Sequence, residues 1–119
     1  MLERLPRRLL HLEGLVVLVA AIALYFDTGY GWPALVVLFL APDLSILGYL
    51  GGSRLGALTY DVVHTYVLPV ALGAVGLLAG AETATQVALI WLAHIGMDRL
   101  LGFGLKYPGG FKDTHLQRV

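Results

Sequence analysis

The sequence predicts an all-α protein, a four-helix up-and-down bundle that lies within a membrane. Three observations carry this. Apolar residues (AVILMFWYC) make up 58% of the 119 residues and charged residues only 13%, where a soluble domain carries about 25% charged residues. Four segments approach the roughly 20 mostly apolar residues that a spanning helix needs. The links between them are short and carry glycine, so each helix runs antiparallel to the last. The apolar runs are continuous and show no period of two, which argues against strands.

The segments are taken in order as one integral-membrane domain over residues 1–119. The first, 9–26, is interrupted by His11 and Glu13. Its basic start and Ala21-Ile22-Ala23 partly fit a secretory signal, but it is read as a retained spanning helix. The second, 32–50, has Pro33 at its start and Pro42 inside; the third, 56–79, contains Pro69; the fourth is 84–105. Residues 106–119 form a tail. Gly73 and Gly76 of the third segment, with Gly80 just after it, give a small face that permits close helix approach. That face suits packing within the bundle or between copies, so a homo-oligomer or a larger membrane complex stays open.

Charge sets the orientation and excludes partners. Eight basic and eight acidic residues cancel, leaving no electrostatic footprint for nucleic acid. The absence of cysteine rules out disulfides, zinc fingers, thiolate catalysis and thioether-linked haem. Arg4, Arg7, Arg8, Arg54, Lys106, Lys112 and Arg118 fall on one side of a four-span topology, while the opposite loops hold Asp27 and Glu82 with no Lys or Arg. The positive-inside rule then puts both termini in the cytoplasm. Membrane lipids are the expected surroundings, and the tail lysines are expected to meet their headgroups.

The chemistry lies in the ionisable residues inside the segments: Glu13, Asp43, Asp61, His64, His94, Asp98 and Arg99. Each costs at least about 2.5–3.5 kcal/mol at membrane depth, so each needs a partner or a function. Counted from the cytoplasmic ends at 1.5 Å per residue, they lie roughly 8–16 Å deep, at one level in the inner half. His94 and Asp98 are four apart, on one helix face. Asp43 follows Pro42, where a proline frees a carbonyl. Asp43, His64, His94 and Asp98 are therefore the expected ligands of a divalent cation that accepts nitrogen and oxygen donors: zinc, manganese or iron. Asp61 or Glu13 is expected to act as base or supporting group, and Arg99 to stabilise an anion. Hydrogen-bonded polar packing, including an Asp61–Arg99 pair, is the plainer alternative.

Three stretches carry a resemblance: Ala41-Pro42-Asp43-Leu44-Ser45-Ile46-Leu47-Gly48-Tyr49, His64-Thr65-Tyr66, and Ala93-His94-Ile95-Gly96-Met97-Asp98-Arg99 running on to Gly102-Phe103-Gly104-Leu105-Lys106-Tyr107, with the tail Phe111-Lys112-Asp113-Thr114-His115-Leu116. From Leu12 to Arg118 the chain resembles a family of small bacterial integral-membrane proteins of unknown function, which implies the bacterial cytoplasmic membrane. That family commonly has asparagine where this chain has Asp61. A fainter similarity is to bacterial membrane-bound metal-dependent hydrolases, whose aspartate, histidine and His-x-x-x-Asp motifs match Asp43, His64, His94 and Asp98. This chain has Ser45 where those hydrolases have a second acid, and one histidine where they have a pair. The resemblance implies hydrolysis of a lipid-like substrate. A small proton-coupled transporter using Glu13, or an accessory subunit using His64 and His94 as axial ligands of a cofactor, are the alternatives.

The topology is directly testable. Reporter fusions at the C-terminus and at Ser53 should report the cytoplasm, and fusions at Thr28 and Glu82 the opposite side; an external C-terminus overturns the arrangement.

Overall fold

Pro6 lies in the first turn of its helix, where a missing N–H is tolerated, and α1 runs from Leu5 to Asp27. The computed structural model describes residues 2–119. After α1 come α2 (Trp32–Leu38), a 3-10 helix (Ala41–Gly51), α3 (Ser53–His64), α4 (Val67–Ala79), α5 (Glu82–Leu101) and the short α6 (His115–Arg118). The protein is all-α, as the continuous apolar runs predict. Three stretches are long and apolar enough to cross a membrane: Leu2–Asp27, Trp32–Gly51 and Ser53–Ala79.

The structure corrects three of the expected segments, and in the second and third proline is the reason. The second does not continue as one α-helix: α2 stops at Leu38, and Ala41–Gly51 winds as a 3-10 helix with Pro42 in its first turn. Runs of 3-10 beyond three or four residues are uncommon, and here the sequence has a matching period of three. Ala41, Leu44, Leu47 and Leu50 are exposed, while the two residues between each successive pair are partly buried. Ser45 and Gly48 form the face that meets α3, where the Thr59 hydroxyl donates to the Ser45 carbonyl at 2.9 Å and Gly48 leaves room for the Thr59 side chain. Gly52, with φ +107°, reverses the chain between them.

The third segment breaks at Thr65, whose extended backbone (φ −90°, ψ 149°) ends α3. Pro69 has no N–H to give the Thr65 carbonyl four residues back, so an unbroken helix would lose that bond there. The fourth segment is shorter than expected at its far end. Gly102, at φ +96°, closes α5 with the Phe103 N–H on the Asp98 carbonyl at 2.7 Å and the Gly102 N–H on Arg99 at 3.2 Å, a Schellman closure.

Helix α5 is the centre of the molecule and packs against α1 and α4. The α1–α5 crossing is made of glycine. A Cβ on Gly14 would lie 2.6 Å from the Arg99 Cβ and 2.7 Å from the Gly96 carbonyl oxygen, and one on Gly96 would lie 2.7 Å from the Leu18 nitrogen. Between α4 and α5, a Cβ on Gly76 would lie 2.5 Å from the Thr85 hydroxyl, so that small face serves packing inside the chain.

Gly96→Val and Gly14→Val should therefore each destabilise the fold by about 1–3 kcal/mol or more, the cost of overpacking. Gly73→Ala, whose Cβ would meet Ala88 at an ordinary 3.4 Å, should stay within about 1 kcal/mol of the parent. Thermal melts of the detergent-solubilised variants check the ranking.

Candidate metal centre

Four side chains from three segments meet at one point. Asp43 stands in the first turn of the 3-10 helix, His64 is the last residue of α3, and His94 and Asp98 are one turn apart on α5. His64 Nε2 lies 3.2 Å from Asp43 Oδ1, 3.3 Å from Asp98 Oδ2 and 3.2 Å from His94 Nε2. His94 Nε2 lies 3.1 Å from Asp43 Oδ1 and 3.2 Å from Asp98 Oδ2. Both histidines are fully buried and Asp98 nearly so, while the Asp43 side chain is 39% exposed.

The tautomer of His64 follows from its other nitrogen. Nδ1 lies 2.9 Å from the Tyr60 carbonyl. A carbonyl only accepts, so Nδ1 carries the proton and Nε2 of the neutral ring is a lone pair. That lone pair faces two carboxylate oxygens and a second imidazole nitrogen. The His64 lone pair and the two carboxylate oxygens repel unless a proton on His94 Nε2 or a metal cation lies among them.

The spacing suits a metal. A tetrahedron with bonds of about 2.0–2.1 Å, as for zinc on nitrogen and oxygen, has edges of about 3.3–3.4 Å. Adjacent ligands in an octahedron with ~2.1 Å bonds are about 3.0 Å apart. The five separations above, 3.1–3.3 Å, fall between these. All four donor atoms lie within 4.8 Å of one another.

The helix break supplies the surroundings. Ending α3 at His64 frees carbonyls that an unbroken helix would use. The Trp91 indole donates to the Val63 carbonyl at 2.6 Å, and Arg99 donates to the His64 carbonyl at 2.8 Å and to Phe103 at 3.0 Å. Arg99 thus holds two backbone segments, and no Asp61–Arg99 ion pair forms among the described residues. Tyr60 stacks on His64 with ring centroids 3.7 Å apart and planes 5° apart, and its hydroxyl donates to Asp98 Oδ2 at 3.4 Å.

Asp61 and Glu13 stand outside the cluster. Asp61 Oδ1 accepts from the Lys106 backbone N–H at 2.5 Å, which ties the tail to α3. Glu13 is exposed on α1, in a groove it shares with Tyr66, Val16 and Val17. The tail folds back under the bundle. Lys106 pairs with Thr114 in an antiparallel bridge, the Tyr107 N–H donates to the Asp113 carbonyl at 2.7 Å, and Arg7 of α1 reaches the Gln117 carbonyl at 3.2 Å.

Lys106 is not the headgroup contact that its place in a basic tail suggests. It is 5% exposed. Its ammonium donates to the Phe111 carbonyl at 2.7 Å and lies 3.6 Å from the Phe111 and 4.5 Å from the Tyr60 ring centroids. Burial pushes its pKa down. Tyr60 had a signal in sequence, four residues before His64 and so on its face; Lys106 had none.

Fold and site together define a small all-helical protein with membrane-length apolar stretches and a largely buried Asp/His/His/Asp cluster consistent with a metal-binding site. A family model described as a domain of unknown function, DUF4260, matches residues 7–119, and the chain belongs to that family. No curated protein and no solved structure matches the chain.

The tail clasp should respond to pH through His115. The Leu105 N–H donates to His115 Nδ1 at 2.8 Å, so protonating Nδ1 removes the acceptor. Burial, with Arg99 nearby, pushes the His115 pKa below its ordinary 6.5. A folded pKa below the unfolded one means the clasp contributes fully above pH 6.5 and weakens as pH falls through the lowered value. Hydrogen exchange at tail amides 105–117, corrected for intrinsic rates, should accelerate in that acid range. His115→Asn, which keeps an acceptor near the Nδ1 position and does not titrate, should flatten the response.

Proposed function

We propose that this chain is a membrane-embedded metal protein. In this reading Asp43, His64, His94 and Asp98 hold one divalent ion, zinc, manganese or iron, and the centre hydrolyses an ester or phosphoester of a lipid-like substrate. The observation that carries the reading is the convergence of a fixed imidazole lone pair, a second imidazole and two carboxylates at 3.1–3.3 Å. The faint similarity of the Pro-Asp, His and His-x-x-x-Asp motifs to membrane-bound metal-dependent hydrolases points the same way, as motif likeness only.

The topology proposed with it has four crossings, with the centre in the inner half of a bacterial cytoplasmic membrane and both termini inside. Helix α5 is the fourth crossing; its 20 residues give about 30 Å, the thickness of the hydrocarbon core.

A divalent ion in this set supplies Lewis acidity for hydrolysis at neutral pH. The chain's own groups do the rest. Tyr60 fixes the His64 ring by stacking and by its carbonyl, and steadies Asp98 through its hydroxyl. Arg99 keeps α5 against the broken end of α3, which sets the spacing between ligands. Asp43 is the ligand open to the outside, so its carboxylate is the group placed to take the proton of an attacking water. Asp61, bonded to the Lys106 amide, and Glu13, exposed on α1, are not needed as the base.

The same acceptors could share one proton instead, as a proton-coupled transporter would require, and metal content separates the two. Protein purified gently without chelator should hold about one transition-metal ion per chain. Zinc at a hundredfold excess over its dissociation constant should stabilise the fold by about 2.7 kcal/mol. His94→Ala should lose the ion and this stabilisation while keeping its helical spectrum, and Asp61→Asn should keep both. Metal-free protein that zinc does not stabilise overturns the reading.

A further inference from the structure

An apolar pocket of about 310 Å³ is walled by Ala41, Pro42, Val63, Val87, Ile90 and Trp91, and none of the four ligands lines it. Its walls come from the three segments that supply the ligands, at neighbouring positions. Pro42 precedes Asp43, Val63 precedes His64, and Ile90 and Trp91 lie one turn before His94. The Trp91–Val63 hydrogen bond, 2.6 Å, braces the pocket wall beside His64. The only ligand that is substantially exposed, Asp43, belongs to the segment that carries Ala41 and Pro42. An engineered cavity of about 150 Å³ holds benzene, six carbons, so this pocket has room for roughly a dozen, one chain and not two.

The charges around the centre favour one sign of head group. Asp43, Asp61 and Asp98 lie within electrostatic reach of Lys106, and Asp61 and Asp98 within reach of Arg99. Three carboxylates against two cations leave one formal negative charge. A divalent ion reverses that to one positive. The loaded centre therefore attracts an anion, and the pocket wall accepts hydrocarbon.

We propose that this pocket binds the hydrocarbon chain of a single-chain anionic amphiphile, an alkyl phosphate or a fatty-acid-like molecule, with its head toward the Asp43–His94 centre. The proposal rests on the metal reading above for its head-group preference, and on the pocket alone for its chain.

Trp91 is the reporter, because Trp32→Phe leaves it as the sole tryptophan. A chain-brominated alkyl phosphate, added to that variant in nanodiscs, should quench Trp91 saturably near one probe per protein. Brominated two-chain phosphatidylcholine should quench it only in proportion to its mole fraction. Zinc loading should tighten the alkyl phosphate at least tenfold and leave a brominated alkyltrimethylammonium unchanged. Ala41→Phe and, independently, Val87→Phe should abolish the saturable component while metal content, read by elemental analysis, is retained. Unsaturable quenching by every probe means ordinary lipid and overturns the chain site. Saturable quenching that survives both pocket variants also overturns it. Equal affinity with and without zinc overturns the head placement. Zinc binding with only unsaturable quenching sinks the pocket and spares the centre, whereas saturable quenching in a protein that never takes zinc sinks the centre and spares the pocket.

Discussion

Three acceptor atoms, His64 Nε2 and one oxygen each of Asp43 and Asp98, converge with His94 Nε2 and repel unless a proton or a metal cation lies among them, and much of this chain is arranged to keep them so aimed. The constraint begins at His64. Because its Nδ1 hydrogen is committed to the Tyr60 carbonyl, its Nε2 lone pair has no freedom to turn away, and the Tyr60 ring stacked on it blocks rotation. His94 and Asp98 approach from a helix whose backbone touches α1 at Gly14 and Gly96. Asp43 approaches from a 3-10 helix bonded to α3 through Thr59. Four atoms from three segments are thereby brought to one point.

The site sits where two apolar stretches break, and the backbone groups released there are taken by side chains, as a bilayer would require. Irregular backbone at membrane depth survives only where protein groups satisfy it. The carbonyls of Val63 and His64 are released by the end of α3 and taken by Trp91 and Arg99. The arginine that looks from sequence like a counter-ion for Asp61 is thus used mainly as a double backbone donor. Its charge still matters at a distance, but its geometry is that of a cap. Asp61, relieved of that pairing, holds the tail through the Lys106 amide. The centre and the tail clasp are consequently separate constructions that share α3.

The long apolar helical stretches and the polar cluster were readable in the sequence because both depend on local pattern: runs of apolar residues, and the i, i+4 spacing of His94 and Asp98. The breaks were half readable. Pro42 and Pro69 marked a disturbance, but proline alone does not say whether a helix kinks or stops, and the answer depended on Trp91 and Arg99, 28 and 35 residues from the carbonyls they take. The 3-10 helix had a signal that a test for periods of two and 3.6 passes over, the leucines at 44, 47 and 50 against Ser45 and Gly48. Lys106 was the least readable. A lysine in a basic tail looks solvated, and its burial depends on the rings of Tyr60 and Phe111, which only the folded tail brings to it.

The innermost helix is one that hydropathy alone underrates. Helix α5 is absent from the stretches apolar enough to cross by composition, because it carries His94, Asp98 and Arg99. Yet from Ala84 to Leu100 none of its residues is exposed. The exposed leucines and valines belong mostly to α1, to the second segment and to α3 and α4, which present the apolar surface that a bilayer requires. The charged and histidine side chains of α5 are covered by its neighbours, so their insertion cost is set by those neighbours and not by lipid. The polar groups could gather on α5 because the other segments are almost wholly apolar outside. The same arrangement leaves Asp43, on the covering and not on α5, as the ligand that faces outward.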